Sequence, residues 1–258
     1  MHELLGLPYS PWTEKARWAL DVRQVPYTFR HYQPLVGEPA LRVKLRRLRG
    51  RITVPVLTTD DGRVLGDSMA IARWSDAHGK GPRLFPEEHD AAIARFVALS
   101  ERGLAAGRML TLERMLADRE ALTEMVPRPL RRRLGGLGVR IARTGIARTI
   151  RKYDSGASVD ARATLTAALD EIRVAIGLAS SPGPGTPRTL LGALTFADLA
   201  VAQVLISVQP PASGLKMGAG SRRCFAEPGL LDRYRDLVAW RDDLYRAFRG
   251  GETPSPSQ

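Results

Sequence analysis

The strongest constraint on this chain is a change of periodicity near residue 80. Before it, short apolar runs alternate with amphipathic stretches; after it, helical spacing continues almost to residue 248. "ELLGL" (3–7), ended by Pro8, reads as a buried first strand. From Ser10 onward, Trp12, Ala16, Ala19 and Leu20 recur at i, i+4, i+7 and i+8, one face of a helix. Pro11 fits the first helical position, where a missing N–H costs nothing. "VPYTFRHY" (25–32) predicts a second strand and "PALRVKLRRLRG" (39–50) a basic helix closed by Gly50. "TVPVLTT" (53–59), the turn "DDG" (60–62) and "RVLG" (63–66) predict a hairpin. A further helix, "DSMAIARWSDAHG" (67–79), is expected to be capped by Ser68 and stopped by Gly79. The order β-α-β-α-β-β-α within residues 1–79 defines an α/β unit.

"GKGPRLFPEE" (79–88) breaks the pattern and supplies a linker over 80–88. Residues 89–249 then predict an all-α domain, with helices over 89–125, 158–179, 195–209 and 228–248 and a loop at 180–188. "GGETPSPSQ" (250–258) has the composition of a disordered tail. A chain of 258 residues carries enough core for two domains without covalent staples. Its one cysteine, Cys224, excludes an internal disulfide and any two-cysteine redox motif. No apolar run approaches the ~20 residues that span a bilayer. "MHELLGLPYSPWTEK" lacks the basic start and apolar core of a signal peptide, so a cytoplasmic location is expected.

Three stretches carry a family resemblance: "YSPWTEKARWAL" (9–20), "TVPVL…GDSMAI" (53–71) and "LLGALTFADLAVA" (190–202). In this order the chain resembles the glutathione S-transferase family, serine-type, with a thioredoxin-like N-terminal domain and an all-helical C-terminal domain. The resemblance implies that Thr53, Val54, Pro55, Asp67 and Ser68 bind glutathione, that glutathione is a co-substrate, and that the protein is a homodimer. Physical readings accompany each motif. A cis Val54-Pro55 bond would turn the preceding backbone outward. Val54 could then pair with an extended peptide ligand, as in strand addition. The alternative is an ordinary proline at a strand start. Ser68 and Asp67 stand at a helix N-terminus, where free N–H groups and the helix dipole favour a carboxylate. Asp67 could receive an α-ammonium group, although the family more often has glutamate there. In "LTFADL" Thr195 and Asp198 have the spacing of a capping box, with Leu194 and Leu199 as its staple, which assigns them to folding.

Ser10 has two readings. Ser-Pro is a common helix opening, and a bare cap would explain it. By resemblance, its hydroxyl donates to the glutathione sulfur and stabilises the thiolate, the nucleophilic form. Tyr9 is the competing hydroxyl, since other transferases use tyrosine; Ser10 is preferred because it aligns with the motif start. Residues 9–20 hold no cysteine, so the reactive sulfur must come with the ligand. Lys15, where the family often has arginine, is expected to be solvated or structural.

The net charge is +12, and 34 of the 39 basic residues are arginine. "PRPLRRRLGGLGVRIARTGIARTIRKY" (127–153) holds nine basic residues and no acid, and is the main departure from the family pattern. Leu134, Leu137 and Ile141 form one expected packing stripe, Ile146 and Ile150 a second. Three readings compete: a helical insertion packed by its apolar stripe, a pocket wall favouring anionic acceptors, and a basic surface for an anionic membrane or acidic partner. The first is favoured. Nucleic acid ranks behind all three, because aromatic interleaving and a recognised motif are lacking. The four histidines show no metal-ligand spacing, and no metal is expected. The leading expectation is a glutathione transferase attacking an electrophilic small molecule, with an acceptor pocket near 96–115. The rival is a noncatalytic binding protein of the same fold, acting through a ligand, a partner or the membrane contacts of its basic segment.

Overall fold

The computed structural model describes residues 1–33, 37–47, 49–50, 52–153, 160–179 and 186–249. The expected tail at 250–258 and most of the loop at 180–188 lie outside the described residues. The N-terminal unit is built from β1 (His2–Gly6), α1 (Pro11–Val22), β2 (Tyr27–His31), α2 (Glu38–Lys44), β3 (Val56–Thr58), β4 (Val64–Gly66) and α3 (Ser68–His78). Its sheet has the order β2-β1-β3-β4, with β1 parallel to β2 and antiparallel to β3. Side chains of a strand alternate between its faces. Leu4 and Leu57 accordingly pack with Ala16 and Leu20 of α1 and Ile71 of α3. Leu5 and Val56 meet Leu41 of α2 and Ile52 in a separate cluster. The fold is the thioredoxin-like arrangement followed by helices.

The chain leaves α3 along the end of α1. The Arg23 carbonyl accepts the Lys80 and Gly81 N–H groups at 2.9 and 3.2 Å. A Cβ on Gly81 would lie 1.9 Å from the Val22 carbonyl oxygen, so only glycine permits this approach. Leu84 and Phe85 then enter the main core, where the Leu84 carbonyl accepts the Phe196 N–H at 2.9 Å. That core also receives Trp18 and Ala19 from α1, which seats the N-terminal unit on the helices.

The long helix expected over 89–125 is two: α4 (Asp90–Ala117) and α5 (Arg119–Glu124). Asp118 breaks it by turning extended and accepting the Ala121 N–H at 2.9 Å, an N-cap in mid-run. α6 (Arg128–Tyr153) spans the basic segment and is kinked at Gly135, whose φ of 46° favours glycine. Of the first expected stripe only Leu134 packs inward, whereas Leu137 and Ile141 are exposed. The second, Ile146 and Ile150, does face α4 and α5, together with Ala142. α7 (Ala161–Leu178) starts at an Asp160 cap. α8 (Phe196–Ala202) is buried throughout and continues as a 3₁₀ turn, Gln203–Ser207. α9 (Ala219–Phe225), α10 (Pro228–Arg233) and α11 (Arg235–Leu244) follow, and the π turn Tyr245–Arg249 returns to α1. There Arg249 Nε meets Glu14 Oε1 and its Nη1 meets Asp21 Oδ2, each at 2.6 Å.

Candidate functional site

Ser10 ends the turn after β1 and caps α1 with extended backbone. Its Oγ accepts the Thr13 N–H at a long 3.4 Å. The hydroxyl is buried at 9% exposure, and among the described residues no acceptor takes its proton. Pro11 occupies the first turn as expected. Tyr9 beside it donates to the Met125 sulfur at 3.8 Å, and burial pushes its phenol up to about 12. Tyr9 is therefore held protonated at neutral pH.

The Val54–Pro55 peptide is cis. Val54 lies outside the ladder, which begins at Val56, and its backbone has no partner among the described residues. The Pro55 carbonyl accepts the Asp67 N–H at 3.2 Å, tying this loop to the start of α3. The cap there is Asp67 rather than Ser68. Asp67 adopts φ 100°, and its Oδ1 accepts the Ala70 N–H at 2.9 Å. Ser68 is displaced into the first helical turn, and its hydroxyl is not spent on capping.

Lys15 is fully buried, which selects the structural of its two expected roles over the solvated one. Its ammonium pairs with Glu101 of α4, which also accepts Trp12 Nε1 at 2.7 Å. Desolvation lowers the lysine pKa, opposed by the Glu101 and Asp67 charges. One carboxylate thus fastens two side chains of α1 to the helical region.

These elements border one cleft of about 2150 Å³. Tyr9, Ser10, Thr53, Val54, Pro55, Asp67 and Ser68 all line it. The opposite wall takes Leu104, Arg108, Leu112 and Met115 from α4, within the stretch expected to form an acceptor pocket. It also takes Ile146, Arg148, Lys152 and Tyr153 from α6. The basic segment is thus both packed and a wall of the cleft. Arg108 and the end of α6 had no motif to mark them. The usable signal was Arg108 at helical spacing from Leu104, Leu112 and Met115, one charge on an otherwise apolar face.

Thr195 and Asp198 lie away from the cleft, fully buried. Asp198 Oδ2 accepts the Thr195 N–H at 2.9 Å and its hydroxyl at 3.1 Å, and Oδ1 accepts the Leu190 N–H at 2.7 Å. Burial pushes Asp198 up to about 6 against those donors. Cys224 is buried and its thiol is pushed up to about 11, which leaves no thiolate at neutral pH. Among the described residues no His, Cys, Asp or Glu group could hold a metal ion, and no helix is long and apolar enough to cross a membrane.

Residues 9–78 match the family model described as "Glutathione S-transferase, N-terminal domain". A probable glutathione S-transferase of Solanum tuberosum is 33% identical over 106 residues, covering 40% of this chain and 47% of that protein. One from Nicotiana tabacum is 32% identical over 95 residues, covering 36% and 41%. The chain thus spans less than half the length of these curated relatives. A glutathione transferase structure from Phanerochaete chrysosporium superposes with a TM-score of 0.62 at 19% identity, over 98% of both chains. A glutathione S-transferase of Ceriporiopsis subvermispora in complex with glutathione gives 0.60 at 18%, covering 98% of this chain and 99% of that one. At these identities the structural likeness shows the fold.

Proposed function

We propose that this chain, whose residues 9–78 match the N-terminal domain of glutathione S-transferases, is a glutathione-dependent transferase acting on an electrophilic small molecule. The observation that carries this reading is the convergence of Ser10, Val54-Pro55 and Asp67-Ser68 on one cleft. Glutathione lies extended along Val54, whose free N–H and C=O suit a peptide ligand. Its γ-glutamyl carboxylate meets the Ser68 hydroxyl and the open N–H groups of α3. Its α-ammonium faces Asp67, whose Oδ2 is not used by the cap.

The thiol then stands at the N-terminus of α1. A Ser10 hydroxyl that gives its proton to no protein acceptor donates to the sulfur and stabilises the thiolate. A hydrogen bond to a charged group contributes about 1.5–3 kcal/mol, or about one to two units of thiol pKa. The thiol proton leaves to solvent, the sulfur lone pair forms a bond to the acceptor carbon, and the leaving group departs with its electron pair. Homodimer formation and a cytoplasmic location belong to this reading, and light scattering tests the first. A second reading, contact with an anionic membrane or an acidic partner, is favoured by exposed Leu130, Leu137 and Ile141 on the arginine-rich α6.

Calorimetric titration with glutathione, followed by a pH titration of thiolate absorbance in the complex, tests the transferase reading. Ser10→Ala is expected to bind glutathione while raising its thiol pKa by about one to two units. Absence of glutathione binding to the unmodified protein refutes the reading; an unchanged thiol pKa in Ser10→Ala removes Ser10 from the chemistry.

A further inference from the structure

The backbone that would pair with glutathione is not fixed by the sheet. The β3 ladder begins at Val56, and Val54 must keep its N–H and C=O open for a ligand. Its place is therefore set by the residues on either side. After it, the Pro55 carbonyl accepts the Asp67 N–H at 3.2 Å. Before it, the Ile52 side chain is buried with Leu41 and Val56, and the Ile52 carbonyl accepts Lys152 Nζ at 3.3 Å from the end of α6. Glu38 of α2 stands at the same join. Its bond to Arg42, and then the charges of Lys152 and Arg148, hold its carboxyl below the ordinary glutamate value.

The other half of the site is reached from the same helix end. Trp12 follows the Ser10–Pro11 turn, and the Arg108 guanidinium lies 4.9 Å from its ring centroid and 3.6 Å from that of Tyr153. A planar cation in contact with two rings joins α1, α4 and α6 at one point. α6 is anchored apart from these joins, through Ala142 and Ile146 in the cluster with Met115 of α4 and Leu122 of α5. Among the described residues no apolar cluster ties α6 to the N-terminal unit, so its hold there is polar and cation–aromatic. The consecutive residues Lys152 and Tyr153 thus reach the two elements that carry Val54 and Ser10.

We infer that the end of α6 clamps the two halves of the glutathione site at a fixed separation. Lys152 is the positioning residue for the Thr53–Val54 backbone, acting through Ile52. Tyr153 is the positioning residue for the Ser10 turn, acting through Arg108 and Trp12. The inference rests on the transferase reading above and gives the basic segment a role in that site. The two residues act on different steps. Binding of the glutathione backbone depends on where Val54 lies, and the thiol pKa depends on where the Ser10 hydroxyl lies.

Variants at the two positions test it, assayed for conjugation of chlorodinitrobenzene and for the thiol pKa of bound glutathione. Lys152→Met is expected to raise the KM for glutathione about tenfold, as for one lost hydrogen bond from a charged donor, with the thiol pKa unmoved. Lys152→Arg keeps a charged donor and retains most of the affinity. Tyr153→Leu is expected to raise the thiol pKa by about half a unit to one unit, with a smaller change in KM. Tyr153→Phe keeps the ring and the native thiol pKa.

A merely structural role for α6 lowers the active fraction, and with it kcat, but leaves KM and thiol pKa in place; that result overturns the inference. A Tyr153→Phe protein that behaves as Tyr153→Leu overturns the contact through the ring. A native KM in Lys152→Met overturns the hold on Val54. Exchange of the Asp67 N–H, followed by NMR without glutathione, separates these failures from that of the transferase reading. If the unmodified protein binds no glutathione, the transferase reading is refuted, and faster Asp67 exchange in Lys152→Met still supports the hold on the loop. Unchanged exchange in that case overturns both.

Discussion

Asp198→Asn sets two physical effects at one carboxylate against each other. The three donors on Asp198 favour its charged form, whereas complete burial favours the neutral one. Burial wins, and the group is pushed up to about 6. That is about two units above an ordinary aspartate and corresponds to roughly 3 kcal/mol. The sign follows from proton binding. Between about pH 4 and pH 6 the folded state holds the Asp198 proton and the unfolded state has lost it, so stability falls as pH rises through this window.

Asparagine is neutral throughout and offers one acceptor oxygen where the carboxyl has two. It leaves either Leu190 or Thr195 with a buried N–H lacking an acceptor, at a cost of about 1–3 kcal/mol. Near pH 4, where the native side chain is also neutral, Asp198→Asn is expected to be the less stable protein by about that amount. By pH 7 the buried charge has removed up to about 3 kcal/mol from the native protein and the two reach near parity. Urea unfolding at a series of pH values measures the difference directly, and other titrating groups cancel in it. A difference that is flat from about pH 4 to pH 7, or that grows with pH, refutes the reasoning. Growth would mean that the donors outweigh burial and hold the carboxylate ionised.

Two further outcomes follow from the ends of α1 and α3. Arg249→Ala leaves Glu14 buried, with its main cation gone and only Arg17 at 3.2 Å. Urea unfolding should show a loss of about 3–5 kcal/mol, and a loss below about 1 kcal/mol would mean that water enters the site. Asp67→Gly removes a carboxylate from a residue whose φ of 100° suits glycine. The lost cap, about 0.5–2 kcal/mol, is offset by relief of the backbone, so the melting temperature should change by only a few degrees. Glutathione affinity should nevertheless fall by about tenfold in calorimetry, and unchanged affinity would remove Asp67 from the binding site.

Local periodicity made the N-terminal unit legible. The strands and helices around Leu4, Trp18, Leu57 and Ile71 follow from apolar spacing, because each buries one regular face against the sheet or the main core. The candidate site was legible at Ser10, Val54-Pro55 and Asp67-Ser68, where turn chemistry and family resemblance fall on the same residues. It was less legible wherever the deciding partner is remote. Which of Asp67 and Ser68 caps α3 depends on a positive φ, a backbone property that either side chain could accompany in a sequence. Lys15 stayed open between a solvated and a structural role because the carboxylate that permits its burial, Glu101, is 86 positions away. α9 escaped because its buried residues are mixed with polar ones, and Glu124 of α5 satisfies its first N–H groups. Asp118 hid in a helical run because a cap in mid-helix has the same composition as an exposed acid. The first α6 stripe was misplaced for a related reason. Gly135 turns the helix, so a count of apolar positions carried across the kink assigns Leu137 and Ile141 to a face that solvent occupies. The basic character of the segment was plain from composition alone. Which of its cations turn inward depends on Arg108 and Tyr153 meeting across two helices, and that pairing exists only in the folded chain.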